Sequence, residues 1–409
     1  MSTYQPTGIK KIFHNTRRFL AKNWLLLMPV TQIAITGSQG KTNTTNLITH
    51  ICQHFGSTVV TDTNLDTTFN VPITALKVMP WTKYVIWELG IDHPGEMDRH
   101  LQIAKPTIGI ITGISPVHTD KAHMGSLETL ISEKRKLIEA LPKTGTAILN
   151  FDDMNVRSMA TYTKAKVEWY DSDSTSDLYV DPESIQLSLE GTQATFHFHG
   201  QTFEIKTKLV GVQHIQNLMA AYLVMTIIQP SATSIEFNKI IAPIEPLKGR
   251  MSVDKGPLNT ILLNDSLRAN PASTFAGLDS LNRINYTNGR KIAVIGEMGE
   301  LEKPEEEHKK TGAQIAKLNL DYVLVIGPLR KFTIDEAIKN GFPKEKIDYA
   351  ADVFEAAEKL KSILKPNDLW YLKGSLLRNY KRIIQLLNGE EVCCNAVLCP
   401  YDHCGYDTN

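Results

Sequence analysis

The sequence predicts an α/β protein: a central, doubly wound domain with antiparallel hairpins appended, followed by a Rossmann-like C-terminal domain. Three observations carry this reading. Short apolar runs, TQIAITG, YVIWELG, TIGIITG and TAILN, are separated by segments of helical spacing such as SLETLISEKRKLIEAL, the signature of parallel strands joined by helices. Past Asn150 the texture changes to period two in IQLSLEG, TQATFHFHG and QTFEIKTKLVG, with glycines between, as in antiparallel hairpins. From about Leu258 the first pattern restarts in NTILLN, KIAVIG, DYVLVIG and DLWYLKG.

Taken in order, residues 8–27 (GIKKIFHNTRRFLAKNWLLL) read as an apolar-basic helix. TQIAITG is a strand ended by glycine, and TNTTNLITHICQHF continues at helical spacing. HIQNLMAAYLVMTII is helical again, and Pro243, Pro246 and Gly249 mark a junction. The expected organisation is an N-terminal basic helical segment (1–30), a central domain (31–246), a C-terminal domain (247–390) and a Cys-rich tail (391–409). At about 150 residues per domain, 409 residues suit that division.

Hydrophobic residues make up 42% and charged residues 22%, enough apolar material for more than one core. Lys+Arg and Asp+Glu both number 44, which argues against a nucleic-acid coat or a polybasic membrane protein. No apolar run reaches the roughly 18–20 residues of a membrane span. The N-terminus lacks a secretory h-region and cleavage site, so the expected location is cytoplasmic. Cys52 stands alone, whereas Cys393, Cys394, Cys399 and Cys404 crowd the tail, unlike a disulfide-stapled fold.

The most informative stretch is ITGSQGKTNTT. A strand ends at Thr36, Gly37 and Gly40 allow a tight turn around Ser38 that aims several N–H groups inward, and Lys41 and Thr42 open a helix. A helix N-terminus favours anions, the lysine reaches terminal phosphates, and the threonine hydroxyl can ligate magnesium. The G-x-x-G-K-T spacing is shorter than the full phosphate-loop signature, but the strand-loop-helix context supports nucleotide binding. In the tail, Cys394, Cys399, His403 and Cys404 offer a four-ligand set of zinc type. Their C-x4-C-x3-H-C spacing is not that of a standard ribbon, and a tail of reactive thiols is the alternative. His197 and His199 alternate with phenylalanines and read as the outward face of a strand.

Ten stretches, occurring in the family's order over residues 31–388, together resemble the Mur ligases of peptidoglycan assembly. They are TGSQGKTNTT, TNLDTTFNVPIT, ELGIDHPGEMD, GISPVH, SEKRKLIEALPKTGTAILNFDD, GVQHIQNLMAAY, KGRM, LLNDSLRANPAS, VIGEMGEL and YLKGS. The resemblance implies an amide ligase. ATP phosphorylates a carboxylate of a peptide precursor, an amine attacks the acyl phosphate, and ADP and phosphate leave. It implies one magnesium on Thr42 and Glu88, Glu88 standing at a strand's C-terminal end where open α/β sheets bind ligands. It places His118 at a second metal and Lys134 at a lysine that becomes carbamylated. It assigns Asn217 and Arg250 to the nucleotide base and phosphates, and Asp265, Asn270 and the Lys373–Gly374–Ser375 motif to the second domain's share of the site. His123 matches nothing in the family and reads as a surface residue.

The chain also departs from the family. Gly113 stands in place of asparagine and Gln213 in place of a histidine, with His214 adjacent. Leu267 and Arg268 replace tyrosine and asparagine, Leu376 follows the KGS motif where arginine is common, and the loop from His118 to Gly125 is longer. Only about 30 residues precede the phosphate loop, too few for the UDP-sugar domain that usually comes first. The basic helix is therefore free to dock on the central domain, receive an acidic partner protein or lie on a membrane surface. Amide ligases of the folylpolyglutamate type also begin almost directly with the loop and provide the alternative reading, beside a non-catalytic ATP-binding subunit.

Overall fold

The structure is a computed structural model and describes residues 8–62, 67–375 and 378–392. The tail donors Cys394, Cys399, His403 and Cys404 lie outside them, as does Leu376. The chain forms two compact units. The first comprises the chain up to Ser184 with Ala194–Ile205 and His214–Ile244; the second comprises Ile185–Gln193, Lys206–Gln213 and the chain from Glu245 onward.

The elements up to residue 244 are α1 (Gly8–Leu26), β1 (Thr31–Thr36), α2 (Lys41–Phe55), β2 (Thr58–Val60), α3 (Thr67–Ala75), β3 (Tyr84–Glu88), α4 (Glu96–Leu101), β4 (Ile108–Ile111), α5 (Leu127–Glu139), β5 (Thr146–Asn150), α6 (Met154–Met159), β6 (Lys166–Asp171), β7 (Leu178–Val180), β8 (Gln186–Ser188), β9 (Gly191–Phe198), β10 (Gln201–Thr207), α7 (Gln213–Ile228) and α8 (Ser234–Ile241). The strands form a sheet of order β10-β9-β7-β6-β5-β4-β1-β3-β2, with β8 paired to β9. Strands β1 to β7 pair in parallel, and β9 runs antiparallel to both β7 and β8. The period-two hairpins of the sequence are thus β8 to β10. The change of texture after Asn150 does not end the parallel sheet, however, because β6 and β7 extend it.

Every residue of β4 is buried, as expected of a parallel strand covered on both faces. Ala34, Val85, Trp87, Ile111 and Leu149 of the sheet pack with Leu130, Leu137 and Ile138 of α5. Chain order reverses at β1, which lies between β3 and β4. Open α/β sheets bind ligands at the carboxyl ends of strands beside such a switch point. Helix α1 packs on α3 and buries Ala21 and Leu25, while the Trp24 indole donates to the Val78 carbonyl at 2.7 Å. Among the described residues no helix is long and apolar enough to cross a membrane.

The second unit adds β11 (Ser252–Lys255), β12 (Ile261–Asp265), α9 (Pro271–Arg283), β13 (Lys291–Ile295), α10 (Pro304–Ile315), β14 (Tyr322–Ile326), α11 (Arg330–Lys339), β15 (Ile347–Ala350), α12 (Val353–Ile363), β16 (Leu369–Lys373) and α13 (Lys381–Leu387). Its sheet has the order β11-β12-β16-β13-β14-β15, parallel except for β11. Alternate residues of the same strands feed opposite cores, as the strand period requires. Leu263, Ala293, Val323 and Tyr371 pack with α9, α10 and α11; Leu262, Ile292, Leu324 and Trp370 pack with α12 and α13.

Trp370 is fully buried, and its indole N–H donates to Thr260 Oγ1 at 2.9 Å. Trp370→Ala removes both the aromatic volume and the hydrogen bond, and is expected to cost about 3–5 kcal/mol. Urea unfolding followed by circular dichroism measures the loss.

Candidate active site

Strand β1 delivers the loop to the switch point. Gly37 has φ 149°, and a Cβ there would meet Thr112 Oγ1 at 2.1 Å, so only glycine fits. Gly40 has φ 78°, and its missing Cβ leaves room for the Asn217 amide oxygen. The Ser38 N–H donates to the Gly113 carbonyl at 2.7 Å and its hydroxyl to the Ser115 carbonyl at 2.9 Å, tying the loop to the end of β4. Thr112 Oγ1 donates to the Gln39 carbonyl. Helix α2 starts with no acidic residue in its first turn and no side-chain cap, so its N-terminal dipole faces the loop unopposed.

Lys41 Nζ donates to the Gly37 carbonyl at 2.7 Å. Thr42 Oγ1 donates to Glu88 Oε1 at 2.8 Å, across the neighbouring strand, and the Glu88 N–H is held by Thr61 Oγ1. Glu88 Oε2 is buried and has no hydrogen-bond partner. An acceptor-only oxygen beside a hydroxyl, next to an anion-binding helix end, fits a hard divalent cation such as magnesium. Asn217 joins this group through α7. Its Oδ1 accepts from Thr44 Oγ1 at 3.1 Å, and its buried Nδ2 has no protein acceptor.

Taken alone, Lys134 in its basic segment reads as a solvated helix residue. The structure buries it to 2% exposure, and its Nζ donates at 3.0 Å to the same Gly37 carbonyl that Lys41 uses. Burial, then the neighbouring Lys41 charge, hold its amine well below the ordinary lysine range, against the opposing pull of Asp92. A lowered pKa favours the neutral amine, which is the form that adds carbon dioxide to become a carbamate.

His118 adopts a left-handed φ of 56°, a strained conformation for a residue with a side chain. Its Nδ1 lies 3.6 Å from an Asp92 carboxylate oxygen. His123 is not the surface residue its sequence suggested. Its ring packs 5.4 Å from His118 and 5.6 Å from His93, and its Nδ1 lies 2.5 Å from Asp120. A carboxylate on Nδ1 orients a ring so that Nε2 faces outward, the usual support for a metal-ligating imidazole. Asp92 and Thr112 escaped the sequence reading. The only signal was that Asp92 lies in the motif ELGIDHPGEMD. Gly113 needs no glycine on steric grounds, since a Cβ there makes only ordinary contacts. His214 is fully buried with neither ring nitrogen paired, and burial lowers its pKa to about 4, leaving it neutral.

The second unit gathers its candidates at its own strand ends. Asp265 ends β12 and pairs in register with Lys373, which ends β16. Lys373 Nζ donates to Asp265 Oδ2 at 2.6 Å, and the Tyr371 hydroxyl donates to the same oxygen at 3.0 Å. Burial lowers the Lys373 pKa, opposed by Asp265 and joined by the Arg250 charge. The Gly374 N–H reaches the Asp265 carbonyl, and the Ser375 carbonyl accepts from Arg378 and Asn379. Asn270 is a helix cap. Its Oδ1 accepts from the Ser273 N–H at 2.9 Å in a reciprocal capping box that starts α9. After β13, Arg378 donates to Glu297 at 2.9 Å, and the Met298 N–H donates to His308 Nε2 at 3.2 Å. Sequence reasoning did not single out either contact.

The buried amine of Lys134 has a thermodynamic consequence. Its folded pKa lies below the unfolded value of about 10.4. Between the two values the unfolded chain binds more protons, so stability rises with pH and levels off near about pH 10.4. In buffer free of carbon dioxide, the gain between about pH 7 and about pH 9.5 is expected to shrink in Lys134→Met. Denaturation midpoints at the two pH values measure it.

Comparison with known proteins agrees with this geometry. Residues 35–225 match the Mur ligase middle domain, and residues 249–376 match the Mur ligase, glutamate ligase domain. The UDP-N-acetylmuramoyl-tripeptide–D-alanyl-D-alanine ligase of Mycobacterium tuberculosis (strain CDC 1551 / Oshkosh) is 28% identical over 89% of this chain and 74% of its own length. The ligase of the same name from Bacillus subtilis is 27% identical over 90% and 78%. The fold resembles MurF from Acinetobacter baumannii (TM-score 0.81, 22% identity, 92% of this chain and 81% of that one). It also resembles MurF from Thermotoga maritima in complex with ADP (TM-score 0.79, 21% identity, 94% and 87%). The phosphate loop at the switch point, the carboxylate beside it and the two matched domains agree, and the chain belongs to the Mur ligase family of ATP-dependent amide-forming ligases.

Proposed function

We propose that this chain joins D-alanyl-D-alanine, or a similar amine, to the terminal carboxylate of a muramyl-peptide precursor in the cytoplasm, at the expense of ATP. The relatives that span most of its length carry the name of that ligase, which supports the substrate class. One observation supports the chemistry above the others. Two lysines, Lys41 and Lys134, converge on a single carbonyl at the end of β1, beside a helix N-terminus and the unpartnered oxygen of Glu88.

The carboxylate attacks the γ-phosphorus of ATP and ADP leaves, forming an acyl phosphate. The amine then adds to the acyl carbon and phosphate departs, leaving an amide. Phosphoryl transfer of this kind depends on positioning and on neutralising charge. Lys41 and the loop N–H groups would hold the phosphates, and Asn217 would donate its buried Nδ2–H to the nucleotide. Thr42 and Glu88 would hold a magnesium, which supplies charge neutralisation at the phosphates. His118 and a carbamylated Lys134 would hold a second one. The carbamate turns a cation into an anion, so the residue attracts the metal instead of repelling it. In the second unit, Arg250, Asp265 and Asn270 are the residues that would serve nucleotide binding, as the family resemblance implies. At the tail, Cys394, Cys399, His403 and Cys404 are assigned a structural zinc on donor chemistry alone. Metal analysis of the purified chain checks this, with absence of zinc removing the assignment.

Phosphate release from magnesium-ATP is the deciding assay, with UDP-MurNAc-tripeptide and D-alanyl-D-alanine supplied separately and together. Release that needs both, with a product heavier by the dipeptide less one water, supports the reading. No release while ATP still binds rejects this substrate pair and directs the search to other carboxylates, such as folate polyglutamates. Lys41→Ala should lower turnover by about a thousandfold, and Glu88→Gln should raise the magnesium needed for half-maximal rate. With 13C-bicarbonate, the wild-type chain should show a carbamate carbon resonance that Lys134→Met lacks.

A further inference from the structure

Helix α1 carries apolar side chains on two opposite sides, and one of these packs on the first unit. One face carries His14, Arg17, Ala21, Trp24, Leu25 and Met28 against the first unit. Ala21 and Leu25 are buried, Trp24 is bonded to the Val78 carbonyl, and the His14 ring lies 4.8 Å from Phe69. At 100° per residue the other face gathers Ile12, Phe13, Phe19, Leu20, Leu26 and, just past the helix end, Leu27, with the exposed Thr16 and Asn23 between them. All six apolar residues are more than half exposed, from Leu20 at 52% to Leu27 at 75%. Trp81 lies three residues past the carbonyl that Trp24 holds and is 73% exposed. Scattered exposed apolar residues are ordinary, but a row of large ones along a whole helix marks a surface that binds something.

The charge of the segment selects the occupant. Residues 8–27 contain Lys10, Lys11, Arg17, Arg18 and Lys22 and no Asp or Glu, in a chain whose formal net charge is zero. Lys11 and Lys22 are exposed beside the apolar row. Helices that lie in a lipid–water interface have this composition, with aromatic and leucine side chains entering the acyl boundary and lysines and arginines meeting anionic headgroups. An exposed tryptophan such as Trp81 suits the same boundary. A second copy of the helix suits the surface poorly, because an isologous contact sets cations against cations.

We propose that the outer face of α1 docks this protein on an anionic bilayer surface, peripherally and without spanning it. The argument rests on the helix alone and holds whichever carboxylate the ligase accepts. The test is flotation of the full chain with vesicles of phosphatidylcholine alone and of phosphatidylcholine with phosphatidylglycerol. Wild type should float with the anionic vesicles, more weakly as salt rises, and stay behind with the neutral ones. Two variants, Phe19→Glu/Leu20→Glu and Lys11→Glu/Lys22→Glu, should each lose binding by roughly tenfold or more. Both change exposed side chains, so circular dichroism and ATP turnover should match wild type. Three outcomes overturn the proposal. They are failure to float with either vesicle, equal flotation of wild type and both variants, and a dimer by light scattering that Phe19→Glu/Leu20→Glu dissolves, which would assign the face to a second copy.

Discussion

Burying a lysine amine is among the more costly arrangements in a protein, and the first unit buries that of Lys134 beside its glycine-rich loop. Lys134 reaches the Gly37 carbonyl from α5 while Lys41 reaches the same oxygen from α2. A neutral carbonyl is a weak counterpart for a buried charge, so burial weighs against the charged form of Lys134. Burial and the Lys41 charge shift the Lys134 amine toward its neutral form, which relieves the repulsion, while Asp92 pulls the other way. The start of α2, with no acidic residue in its first turn and no side-chain cap, is the kind of helix end that favours an anion.

Backbone geometry is what allows the lysines to meet. Gly37 accepts a φ closed to other residues, and Thr112 occupies the space a Cβ would need. Strand β1 lies between β3 and β4, so the loop, Glu88 and the Thr112–His118 segment all leave the sheet at one edge. The second unit uses the same device with opposite charges. A carboxylate ends β12, a lysine ends the adjacent β16, and Tyr371 donates to the carboxylate as well. A buried pair of this kind is sensitive to loss of either member, because the survivor is left uncompensated.

The strands that the sequence reading passed over are instructive. Strands β2 and β11 are three and four residues long and show no apolar alternation, being only half-buried along most of their length. Nothing local marks such segments as strands, since pairing with a longer neighbour is what extends them. Strand β6, KVEWYD, carries charge at three of its six positions, yet it joins the parallel sheet with Glu168 and Asp171 buried, Glu168 paired to Lys166 and Asp171 accepting from the Asp173 N–H. Pattern reading succeeds where burial is two-sided and continuous, as in β4 and β16, and weakens toward sheet edges.

Sequence alone determined the family, the order of the two α/β units, the phosphate loop and the residue types at the strand ends. These follow from short-range requirements: glycine where the backbone turns left-handed, lysine and threonine at a helix start, apolar runs where strands are covered on both faces. Tertiary structure decided the states of those residues. Lys134 reads as one of several cations in an amphipathic helix until packing removes it from water. His123 reads as a surface histidine until a folded loop sets it against His118. Asn270 reads as one residue of a motif until its Oδ1 caps the start of α9. Protonation, pairing and orientation depend on neighbours distant in the chain, and distances between such neighbours exist only once the sheet has assembled.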